Sequence, residues 1–138
     1  MKEVKVLMVD DHEDDMILAR EMFDDSGFKG ELVSVNTAQE AMEYLEHWHS
    51  NPKVFEIGVI FMDINMPIKN GFEFLDDLMA HPVFKKIPVI MLSGSSREEE
   101  KNIALKKGAM AYVTKPIGFD QFVESIRGLS MVWSLSVE

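Results

Sequence analysis

The sequence predicts an α/β domain in which a five-stranded parallel sheet is covered by helices on both faces. Two observations carry this. Short apolar runs alternate with helix-period segments five times along the 138 residues. One of those runs, Ile57-Gly-Val-Ile-Phe-Met-Asp63, is apolar until it stops abruptly at a carboxylate, as a buried strand entering a loop would.

In chain order, Val4 to Val9 reads as the first strand and ends in Asp10-Asp11. The first helix spans Glu13 to Asp25, with Met16, Ala19 and Phe23 as its buried stripe and Ser26-Gly27 as its stop. Leu32 to Val35 is the second strand. Thr37 and Glu40 form a capping box for the next helix, whose apolar face is Ala41, Met42 and Leu45. The segment His47 to Pro52 ends it. The Asp63 strand follows, then Asn65, Pro67 and the turn Lys69-Asn70-Gly71.

A third helix carries Phe72, Leu75 and Leu78 and ends at His81-Pro82. Pro88 to Leu92 is the fourth strand, ending at Ser93. Ser96 and Glu99 predict a second capping box and a helix from Ser96 to Lys107, with Ile103 and Ala104 as its main anchors. Glu98 to Glu100 read as a solvated first turn favoured by the helix dipole. Ala111 to Val113 is the fifth strand, followed by Thr114-Lys115-Pro116. The last helix carries Phe119, Phe122, Ile126, Leu129 and Trp133 on one stripe.

Bulk properties narrow the function. The length fits one domain with a real core. A composition that is 46% hydrophobic and 28% charged suits a soluble globular protein. The lack of cysteine excludes disulfides and thiolate metal sites. The charged N-terminus is no signal peptide, and no run has membrane-spanning length, so the expected setting is cytoplasmic. A net charge of −10 argues against non-specific nucleic-acid binding and suits a divalent cation, although solubility alone explains most of the acids.

In a parallel sheet all strands end on one edge. Asp10, Asp11, Asp63, Ser93 and Lys115 therefore converge there, where open α/β sheets bind ligands. Clustered carboxylates repel, and a hard cation such as Mg²⁺ with oxygen ligands neutralises them. A metal, an ammonium and a hydroxyl offer three contacts for phosphoryl oxygens. Asp63 is then the natural nucleophile, because an aspartate can carry an acyl phosphate.

Over about residues 4 to 128 the chain resembles the receiver domain of two-component response regulators. The matching pieces are Val9-Asp10-Asp11, Met62-Asp63-Ile-Asn65-Met-Pro67 with Gly71, Leu92-Ser93-Gly94, and Tyr112-Val-Thr-Lys115-Pro116. The resemblance implies a flavodoxin-like (βα)5 fold and a phosphoacceptor Asp63 served by a histidine kinase or phosphotransfer protein. It implies Mg²⁺ on Asp11, Asp63 and the backbone carbonyl of Asn65, with Asp10 acting largely through water. It makes Lys115 the partner of the phosphoryl group, Ser93 and Tyr112 the switch residues, and Lys115-Pro116 a cis bond. Asn65 and Ser95 match the family's two variable positions that tune dephosphorylation.

On this reading residues 1–128 are the receiver domain and 129–138 extend its last helix. The extension and the long segment from His47 to Glu56 are similar to stand-alone receivers paired with bacterial phytochrome kinases. With no output domain, output would be a protein contact: onward relay, an unidentified target or a homodimer.

Other readings remain. A phosphatase of the haloacid dehalogenase type would need an acid at position 65, where this chain has an amide. A receiver-like module that is never phosphorylated would typically lack one of the acids or the lysine. Asp10 and Asp11 could cap a helix, Asp63 and Ser93 could belong to turns, and Tyr112 could be an ordinary edge aromatic. His12, His47, His49 and His81 read as solvated surface residues, and the eleven methionines read as core filler.

Overall fold

The computed structural model describes residues 3–51 and 55–127. Its strands are β1 (Glu3–Val9), β2 (Glu31–Val35), β3 (Phe55–Asp63), β4 (Val89–Ser93) and β5 (Ala111–Thr114). The helices between and after them are α1 (Glu13–Asp25), α2 (Ala38–Ser50), α3 (Gly71–Met79), α4 (Glu98–Lys106) and α5 (Phe119–Arg127). All strand pairs are parallel, in the order β2-β1-β3-β4-β5. This is the flavodoxin-like doubly wound order. The chain leaves β1 toward β2, then crosses to β3 on the other side. A crevice therefore opens between the ends of β1 and β3.

Alternation along each strand sorts the core into two layers. Val6, Met8, Val59, Phe61, Ile90 and Leu92 pack with Ala19, Phe23, Phe122 and Ile126 from α1 and α5. Leu7, Val9, Ile60, Met62, Val89 and Met91 pack with α2, α3 and Ala104 of α4. The Phe61 and Phe122 rings stack with centroids 5.3 Å apart, fixing α5 to β3. The register between β1 and β3 shifts by one residue at Gly58, so Lys5 pairs with Ile57 and Val6 with Val59. A glycine is where a strand most easily takes such a bulge. The shift sets Val9 opposite Met62 and so brings Asp10 beside Asp63.

Helix starts follow local chemistry, with differences from expectation. Thr37 caps α2 by accepting the Glu40 N–H at 3.0 Å. Asn70, expected only as part of a turn, forms a full capping box with Glu73 for α3. Ser96 caps nothing. The α4 N-cap is Arg97, whose guanidinium has no acceptor to offer the first-turn N–H groups, and Ser95 Oγ instead accepts the Arg97 N–H. With the helix starting at Glu98, Ala104 is buried and Ile103 is 45% exposed, about a quarter-turn away. Phe119 is also exposed, while Phe122 and Ile126 are buried as expected. Leu129, Trp133 and the 129–138 extension lie outside the described residues. No helix among the described residues is long and apolar enough to cross a membrane.

His81 departs from a solvated histidine. Its ring lies against Phe84 with centroids 3.8 Å apart, and its Nδ1 accepts the Val83 and Phe84 N–H groups. That orders the 3-10 turn Phe84–Lys86, which the sequence reading did not anticipate.

Gly71 is the tightest point behind the acceptor loop. A Cβ there would sit 2.5 Å from Asp63 O and 2.8 Å from Ile64 Cα. Both are backbone atoms, so the strand end itself would have to move. Alanine at a helix position ordinarily gains up to about 1 kcal/mol over glycine. Gly71→Ala should nonetheless destabilise by about 1–3 kcal/mol, as overpacking does. Urea unfolding of the two proteins checks this, and a stabilised variant would contradict the close approach.

Candidate functional site

Each strand end delivers a side chain to the same edge, and strand alternation decides which face it serves. Asp10 and Asp63 continue the set of Met8 and Phe61, on the α1 and α5 side. Ser93 continues the set of Met91, on the α3 and α4 side, and Tyr112 packs there too. The sequence-predicted residues thus form two groups that meet at the edge.

The first group is ionic. Asp10 and Asp63 are 0% and 1% exposed. Lys115 Nζ lies 3.0 Å from Asp10 Oδ2, 2.7 Å from Asp15 Oδ2 and 3.3 Å from Asp63 Oδ2. The Lys115-Pro116 bond is cis, as the resemblance implied. Asp63 Oδ1 accepts the Asn65 N–H at 3.2 Å, whereas Oδ2 is buried with no hydrogen-bond partner. His12 is in this group as well, although its side chain is 55% exposed, as the surface reading expected. Its Nδ1 lies 2.9 Å from Asp10 Oδ1 and 3.2 Å from both Asp11 Oδ1 and Asp63 Oδ2. His12 is also the α1 N-cap without a side-chain cap bond, and Asp10 Oδ1 accepts its backbone N–H at 2.8 Å. Asp10 therefore does part of the capping left open for it.

Electrostatics follow from this crowding. Burial and then the Asp10 charge push the Asp63 carboxyl up to about 6, against the pull of Lys115. The hydrogen bond to Asp10 raises the His12 imidazole above its usual value, despite some desolvation. Burial works against Lys115, but its bonds to Asp15 and Asp10 outweigh it and hold the ammonium charged. Burial also raises Asp15, yet the Lys115 bond and charge leave it below the ordinary carboxylate range.

Four carboxylates face one ammonium and one imidazole, so the group is short of positive charge. Asp10, Asp11, His12 and Asp63 each bring a ligand atom, all within 4.8 Å of one another. Together with an Asp63 Oδ2 that makes no hydrogen bond, the carboxylates of this set fit a small hard divalent cation.

The second group is hydroxylic. Ser93 is fully buried, and its Oγ accepts the Ser95 N–H at 3.0 Å and donates to Glu100 Oε1. The Tyr112 hydroxyl lies 2.7 Å from the same Glu100 oxygen and 2.5 Å from the Ser95 carbonyl. Burial pushes the Tyr112 phenol up, and the Glu100 carboxylate adds to this. Tyr112 is thus tied into the edge rather than being a loose edge aromatic.

Sequence reading missed His12, Asp15 and Glu100. Asp15 lies one turn inside α1 from Asp11, a spacing that could have flagged it. Nothing in the run Glu98-Glu99-Glu100 distinguishes the one that turns inward.

The chain matches the response regulator receiver domain family over residues 6–127. It is 26% identical to response regulator Rcp1 of Synechocystis sp., over 93% of this chain and 87% of that protein. The Mn²⁺-bound form of Rcp1 superimposes with a TM-score of 0.73 over 94% and 93% of the two chains. The phosphorylated cyanobacterial phytochrome response regulator RcpA is 29% identical, with a TM-score of 0.76 over 99% and 96%. The bacteriophytochrome response regulator AtBRR is 27% identical, with a TM-score of 0.80 over 96% of each chain.

The raised Asp63 carboxyl makes a signed prediction. Above about pH 6 the folded, metal-free protein holds an ionised buried carboxylate that the unfolded chain holds without penalty. As pH falls from 6 toward 4 that penalty disappears, so this group destabilises at pH 7 and not in acid. Asp63→Asn should raise metal-free stability at pH 7 by about 1–3 kcal/mol, and the gain should vanish near pH 4. Mg²⁺ should raise the Tm of the native protein and hardly that of Asp63→Asn. Thermal melts across pH, with and without Mg²⁺, read both; equal stabilities at pH 7 would remove the buried penalty.

Proposed function

The chain belongs to the response regulator receiver domain family, and on that premise we propose that Asp63 accepts a phosphoryl group from a phosphohistidine. The family is a signalling switch rather than a classical enzyme. The donor is a histidine kinase or a phosphotransfer protein, in a cytoplasmic two-component or phosphorelay system. One observation carries this reading: the buried Asp63 Oδ2 makes no hydrogen bond and lies 3.3 Å from the Lys115 ammonium and 3.2 Å from His12 Nδ1. Such an oxygen keeps its lone pairs for attack, with a cation beside the charge that develops.

In the transfer, an Asp63 oxygen forms the new O–P bond as the donor's N–P bond breaks. The departing imidazole keeps the electron pair and, protonated on nitrogen, leaves neutral. Asp10, Asp11, Asp63 and the Asn65 backbone carbonyl would hold Mg²⁺, which when bound supplies positive charge to the phosphoryl oxygens. Lys115 neutralises the phosphoryl group from the other side. Ser93 donates a hydrogen bond to it, and Tyr112 follows as Ser93 moves. The new dianionic group favours whichever arrangement of β4, α4 and β5 brings those donors inward, which is a shift of population.

Output is a protein contact rather than nucleic-acid binding, in keeping with the net charge of −10. Ile103 and Leu105, on opposite flanks of α4, and Met110 after it are each between 41% and 45% exposed, which leaves the helix open to a target or a second copy.

Incubation with Mg²⁺ and acetyl phosphate should add one phosphoryl mass to the native protein and none to Asp63→Asn. The adduct should be hydroxylamine-labile. An intact native fold that takes no phosphoryl group would end this reading. Lys115→Ala should slow the same labelling about 100-fold, the usual loss of one charge-stabilising donor; labelling at the native rate would remove Lys115 from the reaction.

A further inference from the structure

Glu100 lies outside the acceptor cluster and is not among the residues the proposed transfer uses. It is half-buried in the first turn of α4, while its neighbours Glu98 and Glu99 face solvent. One of its oxygens, Oε1, meets both switch hydroxyls, those of Ser93 and Tyr112. Hydrogen bonds to a carboxylate are about twice as strong as neutral ones.

The decisive point is a count of donors. A serine hydroxyl has one proton to give. Ser93 is fully buried, so no water sits beside it to supply a second donor in its place. Its oxygen already accepts the Ser95 N–H, and its single proton goes to Glu100. A phosphoryl group on Asp63 and the Glu100 carboxylate must therefore compete for the same proton. Strand alternation explains the outcome without phosphate: Ser93 faces the α4 side, and Asp63 the α1 and α5 side.

We infer that Glu100 is a positioning residue that holds Ser93, and with it Tyr112, on the α4 side and so opposes the phosphorylated state. The inference rests on the phosphoacceptor reading of Asp63. Phosphorylation frees Glu100 from Ser93, and α4, anchored to the core through Ala104, loses one of its ties to the sheet edge. The same contact that restrains the hydroxyl thus couples the acceptor to α4.

The test is a thermodynamic cycle on the full chain with Mg²⁺. Beryllofluoride, a phosphoryl mimic, is titrated calorimetrically into the native protein, Glu100→Ala, Glu100→Gln, Ser93→Ala and the Ser93→Ala/Glu100→Ala double variant. Thermal melts verify that each is folded. Glu100→Ala should bind beryllofluoride about tenfold more tightly, the size of a charge-assisted hydrogen bond no longer broken. Glu100→Gln keeps an acceptor oxygen without the charge and should fall between. In the Ser93→Ala background most of that gain should be lost, because the contested proton is gone and only the Tyr112 contact with Glu100 remains. A purely structural role for Glu100 would persist in that background.

Native-like affinity in Glu100→Ala, or an equal gain with and without the Ser93 hydroxyl, overturns the inference while leaving the acceptor reading intact. No binding to the native protein, alongside no labelling by acetyl phosphate, removes the acceptor reading and this inference with it.

Discussion

Mutual repulsion among carboxylates at the crevice between β1 and β3 is the constraint around which this protein is arranged. Asp10 and Asp63 are buried side by side, and Asp11 and Asp15 crowd the rim. Folding alone would not gather these groups, because burying like charges is unfavourable. Lys115 and His12 offset the repulsion only in part, as the raised Asp63 carboxyl records. A site left deficient in positive charge is one that gains from a divalent cation. Local instability and function have the same origin here.

The fold holds this arrangement through ordinary packing. Two apolar layers fix the sheet, the bulge at Gly58 brings β1 and β3 into register, and Gly71 lets the third helix approach the Asp63 backbone closely. The edge itself is not made of loops alone. Asp63 and Ser93 are the last residues of their strands, so their backbones are held in the sheet's ladder. α4 is different: short, rich in glutamate in its first turn, with Ala104 its one buried residue. An element with so few anchors is the one a change at the sheet edge can move.

Alternation along the strands divides the edge into two chemistries. The ionic group faces α1 and α5. The hydroxylic group, Ser93 with Tyr112 and Glu100, faces α4. On the proposed phosphoacceptor reading, a signal at Asp63 has to cross from one face of the sheet to the other, and the rotatable hydroxyl of Ser93 is the group placed to carry it. Glu100 sets what that hydroxyl does before the signal arrives.

The sequence by itself determined the five strand-helix units, the parallel sheet, and the identity of Asp10, Asp11, Asp63, Ser93 and Lys115 as strand-end residues. Periodicity and chain order are local properties, and a parallel sheet turns them directly into a shared edge. Tertiary structure alone decided what those residues touch. His12 was legible only as a surface histidine beside acids, yet its ring lies among Asp10, Asp11 and Asp63. Ile103 carried the helical period and still faces solvent, because the start of α4 at Glu98 turned Ala104 inward instead. Glu98, Glu99 and Glu100 are chemically identical in sequence. Only the packing of α4 against the sheet, with Ala104 turned to the core, sends one of them to meet Ser93 and Tyr112.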